Sequence, residues 1–297
     1  MAKITYYFDS KNNKALRKIT TEPLFQQIID YLTEQPNVIL RQLKAAFENE
    51  PNFDVYLDQL IEYNLLERKN RRYTVNFPIF STDDLVVSKE VSTEMQAITQ
   101  DDLEASCLVF GEWLWPLFFE DESYFFGVRS NEASNYFLTR TEAGNESLTF
   151  VSITTADRKE VTTANYFSLL IEGEQLPERF KPLEKLIGDV DINYFILQCR
   201  RILRSLKRQT GQKQNIFLEA LITTKELQKT EQKGYYLNIP LINCRTKIDF
   251  HAPKLEAALL EINALPNNQR VFYKKQLYCK LFNICFPERK GISYLIK

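Results

Sequence analysis

Between Pro23 and Pro78 the apolar residues change period, from the helical repeat to strict alternation, and no other feature narrows the fold of this chain as much. Phe25, Ile28, Ile29 and Leu32 fall on one helical face. Pro23 suits the first turn of that helix, where its missing N–H has no partner to lose. Pro36 stops the helix, and Asn37 is placed to cap a second one striped by Leu40, Leu43 and Phe47. The polar segment from Glu48 to Phe53, with Pro51 inside it, reads as a turn. Asp54 then caps a third helix that turns Leu57, Leu60, Ile61 and Leu65 inward. After Leu66 the alternation begins, with Tyr73, Val75 and Phe77 against Thr74 and Asn76, as in a half-buried strand. Lys69-Asn70-Arg71 is the expected turn back to Leu66-Glu67-Arg68, and Pro78 ends the pairing.

Three helices and a basic hairpin resemble the winged-helix variant of the helix-turn-helix DNA-binding fold. Val38 to Lys44 stands for its second helix, Leu57 to Ile61 for its third and Leu66 to Phe77 for its wing. The resemblance implies a third helix that enters the major groove. That helix would present Val55, Gln59, Glu62 and Tyr63. From Ala45 to Glu67 there is no Lys or Arg, whereas Glu48, Glu50, Asp54, Asp58, Glu62 and Glu67 are acidic. Phosphate neutralisation supplies most of the affinity for DNA. The cations expected to supply it here are Arg41 and Lys44 in the second helix and Arg68, Lys69, Arg71 and Arg72 in the wing. The competing expectation is a docking module for a protein partner, because fold alone does not fix function.

Charge is unevenly distributed. Residues 1–80 carry 11 Lys/Arg and 10 Asp/Glu, residues 81–190 carry 8 and 21, and residues 191–297 carry 19 and 8. A near-neutral chain of 38 basic and 39 acidic residues thus has an acidic middle and a basic last third. Either the two face each other, or the basic part binds a polyanion. The five cysteines have no CxxC spacing and no signal peptide opens the sequence, so a reduced, cytoplasmic protein with buried thiols is expected. The longest apolar run, Trp113 to Phe119, contains Pro116 and is too short to cross a membrane.

Taken in order, residues 1–22 read as a polar, basic arm or short strand, and 81–105 as an acidic connector closed by a short helix from Asp101 to Phe110. Trp113 and Trp115 are assigned to the core. Tyr124–Arg129, Tyr136–Thr141 and Leu148–Ile153 read as an antiparallel meander. A helix is expected over Thr163–Ile171 and another turn of helix over Leu183–Ile187. Gly188 should end that turn, and Asp189 or Asp191 should cap the next helix. Residues 251–297 read as two helices and a closing edge strand, Ile292–Ile296.

The sequence also echoes itself. Ile202-Leu203-Arg204-Ser205-Leu206-Lys207 repeats five of six residues of Ile39-Leu40-Arg41-Gln42-Leu43-Lys44. Leu218 to Ile222 echoes Leu57 to Ile61, and Tyr235 to Pro240 echoes Tyr73 to Pro78, all in one order at a nearly constant offset. A second winged helix is therefore expected within residues 180–250, with its wing over Leu227–Ile239. Its charge is the reverse of the first, since no acid occurs from Ile192 to Leu218. Arg200, Arg201, Arg204, Lys207, Arg208 and Lys213 are its candidate phosphate contacts.

His251 is the only histidine, no GxGxxG or Walker A motif occurs, and the acidic clusters lack metal-ligand spacing, so no catalytic residue, cofactor or metal is expected. More broadly, the chain resembles an uncharacterised family of streptococci and related lactic-acid bacteria, on Pro23-Leu24-Phe25 and Leu183 to Asp191. That resemblance implies a bacterial cytosolic protein and no site residues. The expectation is an α+β chain: a winged helix (1–80), an acidic α+β region with the meander (81–179), a basic second winged helix (180–250) and a helical end (251–297). Its expected role is that of a DNA-associated regulator contacting double-stranded DNA. A protein–protein adaptor is the alternative and an enzyme the weaker one.

Overall fold

The computed structural model describes residues 3–9, 13–81, 86–99, 102–119, 123–130, 137–155, 160–173, 175–209, 213–230, 234–243 and 250–297. Within them helices are interspersed with several small sheets, which makes the protein α+β. The chain opens with strand β1 (Lys3–Phe8), the short strand rather than the arm of the two alternatives, and continues with helix α1 (Asn13–Thr21). Ile4, Leu16 and Ile19 are buried, and the rings of Tyr6 and Phe8 lie against Phe125. The alternation of Ile4, Tyr6 and Phe8 with Thr5 and Tyr7 carries the strand.

Helix α2 (Pro23–Glu34) buries Phe25, Ile28, Ile29 and Leu32, the expected face. Asn37 does not cap the next helix. Its φ of 67° turns the chain into a two-residue strand, β2 (Val38–Ile39). Helix α3 (Leu40–Ala46) starts after Ile39, whose N–H donates to the Gln42 side chain at 3.0 Å. Helix α4 (Phe53–Glu62) begins after Asn52, at φ 60°, so Asp54 lies in its first turn instead of at its cap. Strands β3 (Leu66–Lys69) and β4 (Arg72–Val75) form the hairpin, and β2 pairs on the far side of β4. The loop holds only Asn70 and Arg71, both at positive φ (52° and 62°), the two-residue turn whose twist matches that of the strands. Strand β5 (Ile79–Ser81) then leaves this sheet for another.

The acidic connector contains helix α5 (Lys89–Thr99), which buries Val91, Met95 and Thr99 at helical spacing. Helix α6 (Leu103–Cys107) passes through a π-helical run (Leu108–Leu114) into α7 (Trp115–Phe118). Strand β6 (Phe125–Ser130) pairs antiparallel with β1 and parallel with β5. Of the three segments expected in a meander, only the last two pair together, as β7 (Leu138–Asn145) and β8 (Leu148–Thr155). Alternation marks a strand without naming its partner. Tyr136 lies outside the described residues, as do Asp101, the expected start of the connector helix, and Cys244, one of the five cysteines. Then follow α8 (Thr163–Glu172), a 3-10 turn (Glu178–Phe180), α9 (Lys181–Ile187), α10 (Ile192–Lys207) and α11 (Ile216–Thr223). Asp191 and Asn215 cap the last two through their side chains. Strands β9 (Leu227–Lys229) and β10 (Tyr235–Leu237) make the second expected hairpin. Strand β11 (Leu241–Ile242), helices α12 (Pro253–Asn263) and α13 (Asn267–Cys285) and strand β12 (Ile292–Ile296) complete the chain. Strand β12 is not an edge. It lies between β11 and β8, in the order β11-β12-β8-β7, which fits its nearly continuous apolar run.

The chain divides into two compact units. One comprises Met1–Val86, Phe119–Ala133 and Leu259–Gln276, and the other Val87–Phe118, Ser134–Ala258 and Leu277–Lys297. Each has its own core, centred in the first on Phe25, Ile28, Leu57 and Leu60 and in the second on Tyr166, Phe180, Phe195 and Leu218. The succession of elements from β1 to β6 recurs from β8 to β12. In both, four helices lead to a hairpin and a short strand, two helical segments follow, and a final strand returns to the sheet. The pairing agrees, since β5 runs parallel to β6 and β1 antiparallel, just as β11 and β8 do to β12. So does a detail at the base of each hairpin. Asn76 donates from its backbone to Leu65 O and from its side chain to Asn64 O, and Asn238 does the same to Glu226 O and Lys225 O. The residues that turn the chain there, Asn64 and Lys225, share a left-handed φ of 55° and 59°. Among the described residues the second set has no counterpart of β2, and α10 is more than a turn longer than α3.

Candidate nucleic-acid interface

Helix α10 is amphipathic because Phe195, Ile196, Cys199 and Ile202 recur on one side and are buried there. The opposite side carries the charge. Arg201, Arg204, Lys207 and Arg208 are exposed and Arg200 is half-buried. At 3.6 residues per turn these five occupy roughly 120° of the helix surface. Lys213, exposed, stands just before the Asn215 cap of α11. Among the described residues none of the six forms an ion pair, and the one side-chain hydrogen bond is from Arg201 Nη1 to Gln198 Oε1 at 3.4 Å. Arg204 and Lys207 lie in the last turn, where the helix dipole favours cations without consuming their donors.

The cations of the N-terminal module are arranged differently. Arg41 and Lys44 are exposed on α3, and Lys44 pairs with Asp54 of α4 at 2.6 Å. Both partners are half-exposed, so the pair adds little stability. Arg68 lies over the Tyr73 ring at 5.5 Å, and Arg72 Nη1 donates to Asn37 O at 2.8 Å. Lys69 and Arg71 are exposed at the hairpin tip. Helix α4 of the same module exposes Asp54, Val55, Asp58, Gln59 and Glu62. The hairpin cations and those of α10 belong to different units. Neither module offers cationic donors on its third helix. The side chains that α11 leaves at least partly open are Ile216, Phe217, Glu219, Ile222 and Thr223.

Two polar clusters escape the sequence reading. Glu226, 2% exposed, accepts from the Thr163 N–H at 2.9 Å, the Thr163 hydroxyl at 2.5 Å and the Thr224 hydroxyl at 2.8 Å. Burial pushes its carboxyl up from 4.5 to about 7, against the pull of those three donors. The signal was present in the repeat, where Glu226 takes the place of the buried Leu65. In the second cluster Arg140 bridges Glu112, at 2.8 Å, and Glu142. Tyr294 donates to Glu112 at 2.5 Å. Glu112 is carried by the π-helical run, and neighbouring Gly111 leaves room for Tyr294, whose hydroxyl would lie 1.9 Å from a Cβ there. Burial opposes the charge of Arg140, but Tyr294, Glu112 and Glu142 outweigh it and raise its pKa. One guanidinium thus holds two carboxylates and ties helix to sheet, while Arg140 Nε is buried without a hydrogen-bond partner among the described residues.

Trp113 and Trp115 are half-buried against Phe250 and Tyr278. Cys107, Cys199 and Cys279 are buried and Cys285 is half-buried. Among the described residues no helix is long and apolar enough to cross a membrane.

In comparisons with known proteins, residues 4–106 match the model of a domain of unknown function (DUF1803). This match covers β1 to α6, which includes the whole N-terminal helix-and-hairpin module and stops short of α10. No curated protein and no solved structure matches the chain.

Proposed function

We propose that this is a cytoplasmic DNA-associated protein built from two winged helices related by duplication, and that it holds the phosphate backbone through α10 and Lys213. The observation that carries this reading is that, among the described residues, no α10 cation forms an ion pair. Had Arg200, Arg204, Lys207 and Arg208 been tied to the acidic middle of the chain, an adaptor held together by its own charges would fit better. Instead, among the described residues no acid pairs with them, and Arg204, Lys207 and Arg208 face solvent. Such a row matches the charge spacing of a polyanion and releases its counterions on contact.

The winged-helix assignment rests on three helices leading into an antiparallel hairpin, twice, with the same bonding at the hairpin base. The third helices lack the Arg, Lys, Asn and Gln donors that read base edges in the major groove, Gln59 of α4 excepted. Contact is therefore sequence-independent and belongs to the second module, not to the hairpin of the first.

Charge reversal tests this directly. Arg204→Glu/Arg208→Glu should abolish binding of mixed-sequence DNA at low salt, whereas Arg71→Glu/Arg72→Glu should leave most of it. Equal binding by wild type and the α10 variant would overturn the reading.

A further inference from the structure

The cationic face of α10 does not end in more charge. One and two turns toward its N-terminus the same solvent-facing stripe holds Leu197, 45% exposed, and Tyr194, 50% exposed. Tyr194, Leu197, Arg201, Arg204 and Arg208 lie within roughly 80° of one another about the helix axis, so they form one row about 21 Å long. The Tyr194 ring is propped edge-on against Phe217 of α11 at 5.6 Å, and Ile216 beside it is 48% exposed. An isolated exposed tyrosine is ordinary. A half-exposed tyrosine braced by a second ring, at the end of a line of arginines that form no ion pair among the described residues, is a different arrangement.

Building on the proposal above, we infer that the ligand of this face is a single strand with unpaired bases, and that Tyr194 is the platform on which a base stacks. Two features favour a single strand over a duplex. A duplex presents phosphates and groove edges, and its base faces are covered by their neighbours, so the apolar end of the row would gain nothing from it. A single strand offers an anionic backbone and open base faces together. Sequence-tolerant sites for it combine basic side chains with aromatic platforms. Arg201, Arg204 and Arg208 would follow the backbone while Tyr194 and Leu197 take up a base. The absence of base-reading donors on α11 costs such a site nothing, because stacking needs none.

The test uses the full-length protein and three labelled probes of equal length: oligo-dT, oligo-U and a mixed-sequence duplex. Binding is read by anisotropy at one salt concentration. Oligo-dT or oligo-U should bind more tightly than the duplex, and the stronger of the two tells whether the strand is DNA or RNA. Tyr194→Leu keeps an apolar side chain against Phe217 but lacks the ring. It should weaken single-strand binding roughly tenfold or more and leave duplex binding unchanged, and Tyr194→Phe should restore it. If the duplex binds more tightly, or if Tyr194→Leu binds the single strands as wild type does, the single-strand assignment is overturned while phosphate binding by α10 stands. If Arg204→Glu/Arg208→Glu changes binding of no probe, the underlying reading fails as well.

Discussion

Glu226 offers a stability experiment whose size follows from its surroundings. The carboxyl is enclosed and bonded to Thr163 and Thr224, with no cation among its contacts. Burial raises its pKa from 4.5 in the unfolded chain to about 7 in the fold. A raised pKa means that the folded state holds the proton more tightly. Stability from this group is then fully present below pH 4.5, falls as pH rises, and has gone once pH has passed 7. At roughly 1.4 kcal/mol per pH decade the loss amounts to about 3 kcal/mol, a large share of the stability of an ordinary domain. Glu226→Gln keeps the shape and a donor–acceptor pair but cannot ionise, so it should remove this dependence. Both tryptophans belong to the unit that holds Glu226, so urea unfolding followed by tryptophan fluorescence reports on the right part of the molecule. The wild type should lose about 3 kcal/mol relative to Glu226→Gln between pH 4.5 and 8. Parallel pH profiles for the two proteins would show that Glu226 is already ionised in the fold and refute the reasoning.

Other substitutions probe single contacts. Gly111→Ala drives a methyl group into the Tyr294 hydroxyl and should cost about 1–3 kcal/mol, seen as a lower Tm, because tight packing must shift to admit it. Glu112→Gln leaves the guanidinium of Arg140 with a full charge only on the Glu142 side. About 2 kcal/mol of unfolding free energy should be lost in denaturant titration, less than for a fully enclosed pair. Arg71→Gly relieves a left-handed residue in the hairpin turn and should stabilise the first unit by about 1 kcal/mol, read by hydrogen exchange of β3 and β4.

What the sequence discloses about this protein is mostly local. The α2 stripe, the two hairpins and the cap at Asp191 depend on residues within a few positions of one another, and all are legible. So is the charged face of α10, because the spacing of its arginines needs no tertiary knowledge. The repeat made a second hairpin foreseeable where its own residues are unremarkable. Partnerships across the chain were not legible. Strand β6 joins β1, more than a hundred residues away, and β12 enters the middle of a sheet whose other strands lie far upstream. Asn37 looks like a cap because Asn often is one, yet pairing of Val38 with Tyr73 takes its place. Glu226 reads as one more surface charge among Lys225 and Gln228, and only its alignment with Leu65 hints that it points inward. The π-helical run has no sequence signature, and the approach of its Gly111 and Glu112 to Tyr294 is a long-range contact that the sequence does not disclose.

Salt dependence of nucleic-acid binding tests the central claim most directly. If Arg200, Arg201, Arg204, Lys207, Arg208 and Lys213 all meet phosphates, log Kd should rise against log salt with a slope of about 4 for a single strand or about 5 for a duplex. Between 50 and 200 mM salt, affinity should then drop at least roughly a hundredfold, and Arg204→Glu/Arg208→Glu should flatten the slope by at least about 1.4. A wild-type slope near zero, or one that the α10 substitutions leave unchanged, would contradict the assignment of this face to a nucleic-acid backbone.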